Sequence, residues 1–350
     1  MAHRFLCSIC ALVSLLSAQL AGQPSSPVAK TNAAANWTPP LTPDGQPDLE
    51  GIWTSSTLTP LERPMELAGK QTLTPAETAA YEKQLLQNAN RDVRAASPDA
   101  DVARAYNELW FDRGTKVVGN RRTSLIVDPP DGRVPPLTPE AQKLDDAALA
   151  YAKLHPADGP ENRPLAERCV LWPSAGPPML PGAYNNNYQI VQAPGYVIIL
   201  VEMIHDARII PIDGPIDRRP HLPQSIRQWM GDPRGHWEGN TLVVETTNFT
   251  DKTRDLGAGM GRSTFRGTDE KLRLTERFTR VDPTTIRYEF TVEDPTAFTK
   301  PWTAEIPMTK TTGPLFEYAC HEGNYAMTDI LAGARAAEKK AEGAERIGAK

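Results

Sequence analysis

The hydrophobic pattern of the chain changes near residue 188, from helical spacing to strict alternation. Before this point, Thr74-Pro75-Ala76-Glu77 is a capping box with proline at the first helical position, which predicts a helix over 75–96. Thr138-Pro139 predicts a second helix that ends near His155, and the run 124–128 predicts a short strand between the two helices. We therefore expect a helix–strand–helix part over 48–160.

After Tyr188, apolar and polar residues alternate in short runs, and turn signals such as Pro194-Gly195 separate them. An earlier strand is predicted at 48–53, where Gly51-Ile52-Trp53 resembles the opening of lipocalin-type and avidin-type barrels. The expected fold class is mainly β with N-terminal helices (α+β), with an antiparallel lipocalin-like barrel or sandwich over 161–332. The later predicted strands are 188–193, 196–204, 207–212, 241–249, 270–279, 285–293, 302–309 and 315–321.

Both ends of the chain differ from this pattern. His3 and Arg4 precede an apolar run over 5–16 and then small residues, which predicts a cleaved signal peptide over 1–22. The alternative is an uncleaved anchor. A Pro-, Ala- and Ser-rich leader over 23–47 is expected to be disordered, and 333–350 is a charged tail. The predicted location is periplasmic or secreted, with no transmembrane segment in the mature chain.

Composition narrows the class of partner. The chain has a formal charge of −5 and 33 prolines in 350 residues. Proline disfavours a bundle of long helices, and the net negative charge lacks the basic footprint of a nucleic-acid-binding protein. We expect a small-molecule substrate or ligand and no nucleic acid. Without the signal peptide two cysteines remain, Cys169 and Cys320, which predict a disulfide in an oxidising compartment; the alternative is two buried thiols.

Two predicted strands carry a carboxylate among apolar residues. Glu202 follows the parity of Tyr196, Ile198 and Leu200, and Glu276 falls between Leu274 and Phe278. Burying a carboxylate is costly unless the charge is paired. Each glutamate is therefore expected to form a structural ion pair with an arginine, to line a cavity, or to act as an acid or base.

The densest group of reactive side chains runs from Glu202 through His205 and Asp206 to Arg208. A hairpin tip at His205-Asp206 would bring these side chains to one edge of the sheet. We predict that Glu202, His205 and Asp206 transfer protons, and that Arg208 and His321 stabilise an anion. The alternative is a turn with a self-bonded aspartate and an exposed histidine.

A second group is predicted to bind the ligand. The amides of the Asn-rich stretch between Tyr184 and Tyr188 suit a polar ligand, although asparagines also cap turns, and tryptophans are often simply buried. No His-x-His or His-Glu-x-x-His spacing occurs, so we expect no metal and no cofactor. The predicted binding residues are Tyr184, Asn186, Tyr188, His221, Trp229 and Glu276.

Five motifs act as a set: Pro47-Asp-Leu-Glu-Gly-Ile-Trp53, Trp172-Pro-Ser-Ala-Gly-Pro-Pro178, His205-Asp-Ala-Arg-Ile-Ile-Pro211, Trp237-Glu-Gly-Asn-Thr-Leu-Val-Val-Glu-Thr-Thr-Asn-Phe249 and Tyr318-Ala-Cys-His-Glu-Gly-Asn-Tyr325. Together they resemble a family of exported bacterial proteins usually called hypothetical. The resemblance implies a bacterial, exported protein, and it implies no particular activity.

Three functions compete on this pattern. The first is an exported, metal-independent enzyme, a lyase, isomerase or hydrolase, that uses acid–base side chains on a small organic molecule in a pocket of the β region. The second is a lipocalin-like protein that binds a small molecule inside the barrel. The third is an envelope-associated structural domain without a ligand. The ionisable residues beside apolar strands favour the enzyme.

Overall fold

The computed structural model describes residues 37–102, 107–213, 220–252 and 271–348. The predicted signal peptide and most of the predicted leader lie outside these ranges. The α-helices of the described ranges are α1 (Pro75–Ala89), α2 (Pro98–Val102), α3 (Pro139–Leu154) and α4 (Tyr325–Gly348). Their strands are β1 (Gly51–Thr54), β2 (Ile126–Asp128), β3 (Asn187–Ala193), β4 (Tyr196–Val201), β5 (Ala207–Pro211), β6 (Asp232–Glu238), β7 (Thr241–Thr247), β8 (Arg273–Asp282), β9 (Thr285–Glu293) and β10 (Trp302–Thr311).

One antiparallel sheet contains all of these strands. Its order is β5-β4-β3-β1-β10-β9-β8-β7-β6, and β2 also pairs with β10. The short strand β1 lies between β3 and β10, with Trp53 opposite Tyr188 on one side and Lys310 on the other. The prediction of a mainly β, antiparallel protein with N-terminal helices is therefore confirmed.

The sheet is not closed into a barrel. Nine strands in antiparallel succession leave the two end strands, β5 and β6, running in the same direction. They meet at a single parallel bridge between Ile212 and Gly235, where the Asp213 N–H donates to the Gly235 carbonyl at 2.7 Å. No ladder continues from this bridge in the described residues, so the prediction of a closed barrel is wrong.

The core lies on one face of the sheet and receives a loop. Large buried side chains such as Trp53, Phe278 and Trp302 point to this inner face. The Pro-rich segment 172–181, here called the central loop, packs against them, with Ala175 and Met179 fully or almost fully buried. The central loop therefore fills part of the space in which a lipocalin would hold its ligand.

Phenol groups anchor the central loop to the sheet. The Tyr188 hydroxyl donates to the Ser174 carbonyl at 3.0 Å, and the Met179 N–H donates to the Tyr288 hydroxyl at 3.0 Å. A buried phenol needs such partners, because an unsatisfied polar group in the core is costly. These bonds fix the position of the loop in the interior.

Several predicted boundaries need correction. Strand β6 was not expected, because Pro233 and Gly235 disfavour a strand; as the last strand of the sheet it tolerates a proline. The segment 315–321 is not a strand but an irregular connection. Helix α1 ends at Ala89 rather than near residue 96, and α4 begins at Tyr325, ahead of the expected charged tail.

Candidate active site

A cleft of about 1110 Å³ opens on the outer face of the sheet, opposite the core. Thr54 of β1 and Thr311 of β10 form part of its floor, whereas Trp53, the neighbour of Thr54, is buried in the core. Two irregular segments, 109–112 and 313–318, complete the walls. The cleft therefore lies between the sheet and the connections that cross its outer face.

Aromatic and apolar side chains cover much of the cleft wall. Trp110 and Phe316 are 64% and 68% exposed, and Leu109 is 84% exposed. Phe111, Tyr184 and Tyr318 also line the cleft. A cluster of exposed apolar groups is unfavourable in water and is typical of a binding surface.

Glu202 is the buried carboxylate of this site. It follows the last residue of β4 and is only 2% exposed. Its Oε2 accepts from the Asn187 side-chain amide at 2.7 Å, and its Oε1 accepts from the Phe316 N–H at 2.9 Å. In the described residues no lysine or arginine lies within ion-pair distance of Glu202. Neutral donors therefore hold this carboxylate in place without cancelling its charge.

Asp112 is the second carboxylate of the cleft. Its backbone is fixed, since its N–H donates to Ala183 at 2.9 Å and its carbonyl accepts from Ser56 at 2.8 Å and from Asn186 at 2.7 Å. Asp112 as a whole is exposed to solvent. Partial desolvation in the cleft wall raises the pKa of Asp112, the charge of Glu202 raises it further, and a hydrogen bond with the Ser56 side chain lowers it in part.

The two carboxylates therefore have different settings in one cleft. The raised pKa keeps Asp112 protonated to a higher pH than an ordinary aspartate, which suits a general acid. Glu202 sits between two N–H donors, which match an ionised carboxylate that serves as a base or stabilises positive charge. Two carboxyl groups in different hydrogen-bonding environments within one cleft can divide the roles of acid and base.

Glu276 and Arg208 lie elsewhere, on the inner face of the sheet. They form a two-point ion pair in which the side chains are 0% and 2% exposed, and Arg208 Nη1 lies 3.0 Å from Glu276 Oε1. The Tyr288 hydroxyl donates to Glu276 at 2.7 Å. Burial and the charge of Glu276 raise the pKa of Tyr288 well above its ordinary value, so the phenol remains a donor. Of the three alternatives expected for Glu202 and Glu276, Glu276 adopts the structural ion pair with an arginine.

The Asn-rich stretch divides between the cleft and the scaffold. Tyr184 and Asn185 line the cleft. Asn186 is fully buried and bonds to the backbone of Gly182 and Asp112, so it shapes the turn. Tyr188 is fully buried in the core and does not line the cleft.

The connection between β4 and β5 has the predicted hairpin tip. A short 3-10 turn over Met203–His205 forms it, with Ile204 at a φ of 62°, and the Val201 N–H donates to the Asp206 carbonyl at 2.8 Å. The His205 side chain lies outside the described part of the structure. Asp206 is half-buried and has a partner of its own, and it is not among the described residues that line the cleft.

The remaining predicted residues are placed apart from the cleft. His321 is exposed next to Cys320. His221 lies 3.1 Å from an Asp232 carboxylate oxygen and lines a separate pocket of about 550 Å³. Trp229 packs against the core from the surface. Of the predicted site residues with described side chains, Glu202 and Tyr184 line the cleft.

The predicted disulfide between Cys169 and Cys320 is present, with Cα atoms 5.8 Å apart and a sequence separation of 151 residues. It ties the connection that follows β10, which forms one cleft wall, to the segment before the central loop. The Asn324 amide adds a bond to the Glu167 carbonyl at 3.1 Å. The cleft wall is therefore held covalently.

Sequence reasoning missed Asp112 and the aromatic residues of the two connections, and it did not predict that Asn187 holds Glu202. The available signal was local: Leu109-Trp-Phe-Asp112 places a carboxylate directly after three large apolar residues outside any periodic pattern. In the described ranges, no group of three histidine, cysteine or acidic side chains is arranged to hold a metal ion. No helix in those ranges combines the length and hydrophobicity needed to cross a membrane.

Comparison with known proteins identified no matching family model, and no match among curated proteins or solved structures. The geometry of the cleft therefore carries the functional conclusion.

Proposed function

We propose that this protein is an enzyme that applies acid–base chemistry to a small organic molecule in the cleft, with Asp112 as general acid and Glu202 as base or electrostatic stabiliser. The observation that carries the proposal is the setting of Glu202. It is buried, it faces a cleft, and no cation neutralises it among the described residues. Glu276, on the same sheet, is instead paired with Arg208.

The reaction classes that fit are hydrolysis, elimination and isomerisation. In each, a positioned acid protonates a leaving group or carbonyl while a base removes a proton or activates water. The aromatic walls would bind the apolar body of the substrate, and Asn185 offers an amide for a polar substituent.

We infer that the enzyme works outside the cytoplasm. The disulfide supports this, because such bonds persist in oxidising compartments. The signal-peptide pattern and the resemblance to exported bacterial proteins point the same way.

The test is turnover of a panel of chromogenic esters, glycosides and elimination substrates by the full chain. Asp112→Asn and Glu202→Gln should each lower kcat by about 10²–10⁴-fold. The control is Glu293→Gln, at the exposed end of β9, which should keep full activity. Asp112→Asn should also remove the fall in rate at high pH, because a general acid must be protonated to act.

Two outcomes would count against the enzyme. If an identified substrate is turned over equally by both cleft variants, the acid–base assignment fails. If ligands bind in the cleft and none is converted, the protein is a carrier, as the lipocalin-like hypothesis holds. The central loop in the sheet interior gives that carrier less room than a lipocalin has, so its ligand would occupy the outer cleft.

A further inference from the structure

The cleft presents aromatic faces to its contents. Trp110 and Phe316 are largely exposed on its walls, and Tyr184 and Tyr318 lie near the Asn-rich turn and the connection after β10. Aromatic faces carry negative charge density, so they attract a cation as well as an apolar surface. They do not attract an anion.

The charged groups of the cleft have a single sign. Asp112, Glu202 and Glu317 line it, and none of the described lining residues is lysine or arginine. A negatively charged ligand would meet carboxylates without a compensating cation. A cation would reduce the repulsion between Asp112 and Glu202, the same repulsion that raises the pKa of Asp112.

The basic residues nearest in sequence have partners of their own, and none of them is among the described residues that line the cleft. Arg113 lies 4.2 Å from the centre of the Phe111 ring and 3.0 Å from Glu108. Arg208 is paired with Glu276 in the core, and Lys310 lies over Trp53, 5.7 Å from its ring centre. Arg113 and Arg91 thus lie over the ring of one cleft-lining residue, Phe111, whereas the charged side chains that line the cleft itself, among the described residues, are all carboxylates.

We propose that the substrate of this cleft is a small organic cation, an ammonium group carried on an aromatic or apolar body. This inference rests on the proposed function, because it takes the cleft as the active site. The ammonium group would lie beside Glu202, where neutral donors leave the carboxylate charge available, and the apolar body would lie against Phe316 and Trp110. The hydrogen bond from the Phe316 N–H to Glu202 holds the Phe316 backbone next to the carboxylate, so the apolar and the charged parts of the proposed site are adjacent.

The test compares three probes of similar size and different charge: benzylamine, benzyl alcohol and benzoate, titrated into the full chain at pH 7 by calorimetry. We expect benzylamine to bind at least tenfold more tightly than benzyl alcohol, with benzoate weakest. Glu202→Gln should reduce this preference several-fold, whereas Phe316→Ala should weaken benzylamine and benzyl alcohol together. Glu293→Gln, away from the cleft, should change neither.

A result in which benzyl alcohol or benzoate binds as tightly as benzylamine would overturn the inference. So would a Glu202→Gln variant that melts like the parent and keeps the full preference. If that variant does not fold, Glu317→Gln provides the same comparison on an exposed carboxylate, with a smaller expected loss of preference.

The failures of the two proposals are distinguishable. Preference for the cation is measured by binding, without turnover. Conversion of neutral substrates that depends on Asp112, with no preference for benzylamine, would retain the enzyme and refute the cationic substrate. Selective binding of benzylamine, with turnover that does not depend on Asp112 and Glu202, would retain the preference of the cleft for cations and refute the acid–base assignment.

Discussion

The ion pair between Arg208 and Glu276 should determine a large share of the stability of this fold. The pair connects β5 to β8 across the inner face of the sheet, and its side chains are 2% and 0% exposed. Removing one partner of a buried pair leaves an uncompensated charge and costs about 3–5 kcal/mol. We therefore expect Arg208→Met and Glu276→Met each to destabilise the protein by about that amount.

The corresponding change in Tm follows from chain length. Unfolding entropy near 2.1 cal/mol/K per residue gives roughly 0.7 kcal/mol/K for a chain of 350 residues, so each variant should melt about 4–7 °C lower. The double variant Arg208→Met/Glu276→Met removes both charges. The main destabilising effect of this double variant is that the Tyr288 hydroxyl loses its hydrogen-bond acceptor, which costs about 1–3 kcal/mol. The double variant should thus be about as stable as either single variant, or more stable. Its loss of unfolding free energy should be far smaller than the sum of the two single losses.

Thermal and urea unfolding followed by circular dichroism would measure this cycle. The matched control is the exposed pair Arg277–Glu238 on the outer face, with side chains 38% and 50% exposed. Neutralising Glu238 should shift Tm by only a small fraction of the core effect, because water and salt screen an exposed pair. The reasoning is refuted if the core variants resemble this control, or if the two single effects simply add.

Three further predictions concern the cleft, its wall and the sheet edges. Because the folded-state pKa of Asp112 is raised, its contribution to stability is complete below the unfolded pKa and is lost as pH rises through the folded value. The free energy of unfolding of Asp112→Asn minus that of the parent should therefore be larger at pH 7 than at pH 4, as measured by urea titrations at both pH values. An equal difference at the two pH values would contradict this. Replacing Cys169 and Cys320 by serine opens a loop with a separation of 151 residues, worth about 5 kcal/mol in the chain-entropy model. That variant should melt lower and lose ligand binding, and unchanged binding would show that the wall does not need the bond. Gly235→Ala places a methyl group 2.6 Å from Ile212 Cδ1, so it should lower stability by about 1 kcal/mol on calorimetric melting if β5 and β6 meet as described.

The positions of Glu202 and Glu276 could be predicted from the sequence to different extents, for a physical reason. Strand β8 alternates cleanly, so Glu276 could be assigned to the apolar face, where it lies. Its partner could not be read, because Arg208 reaches it from β5 across the interior of a sheet whose strand order is non-local. Strand β4 is apolar on both faces, so the pattern placed Glu202 with Tyr196, Ile198 and Leu200 but did not show that this face is the outer one. The residues that point to the core are Val197, Ile199 and Val201.

Irregular segments explain what sequence analysis missed in the site. Asp112 and Phe316 lie on connections without periodicity, and their position depends on hydrogen bonds from distant residues such as Asn186. The segment 315–321 alternates like a strand, yet Pro314 and the disulfide at Cys320 direct it over the outer face instead of into the sheet. Local pattern predicts a ladder only where a neighbouring strand is available to receive it.

Glu202 and Glu276 also provide an internal comparison for function. Both sit on the same sheet and both are 2% exposed or less, so burial alone does not distinguish them. Glu276 meets a guanidinium and a phenol, which cancel its charge and satisfy its oxygens. Glu202 meets an amide and a backbone N–H, which satisfy its oxygens and leave its charge. A fold that can place an arginine against one carboxylate could stabilise the other in the same way. Among the described residues Glu202 has no cationic partner, and it lines an aromatic cleft together with a second carboxyl group, so the contrast with Glu276 supports the proposal that its charge serves what enters that cleft.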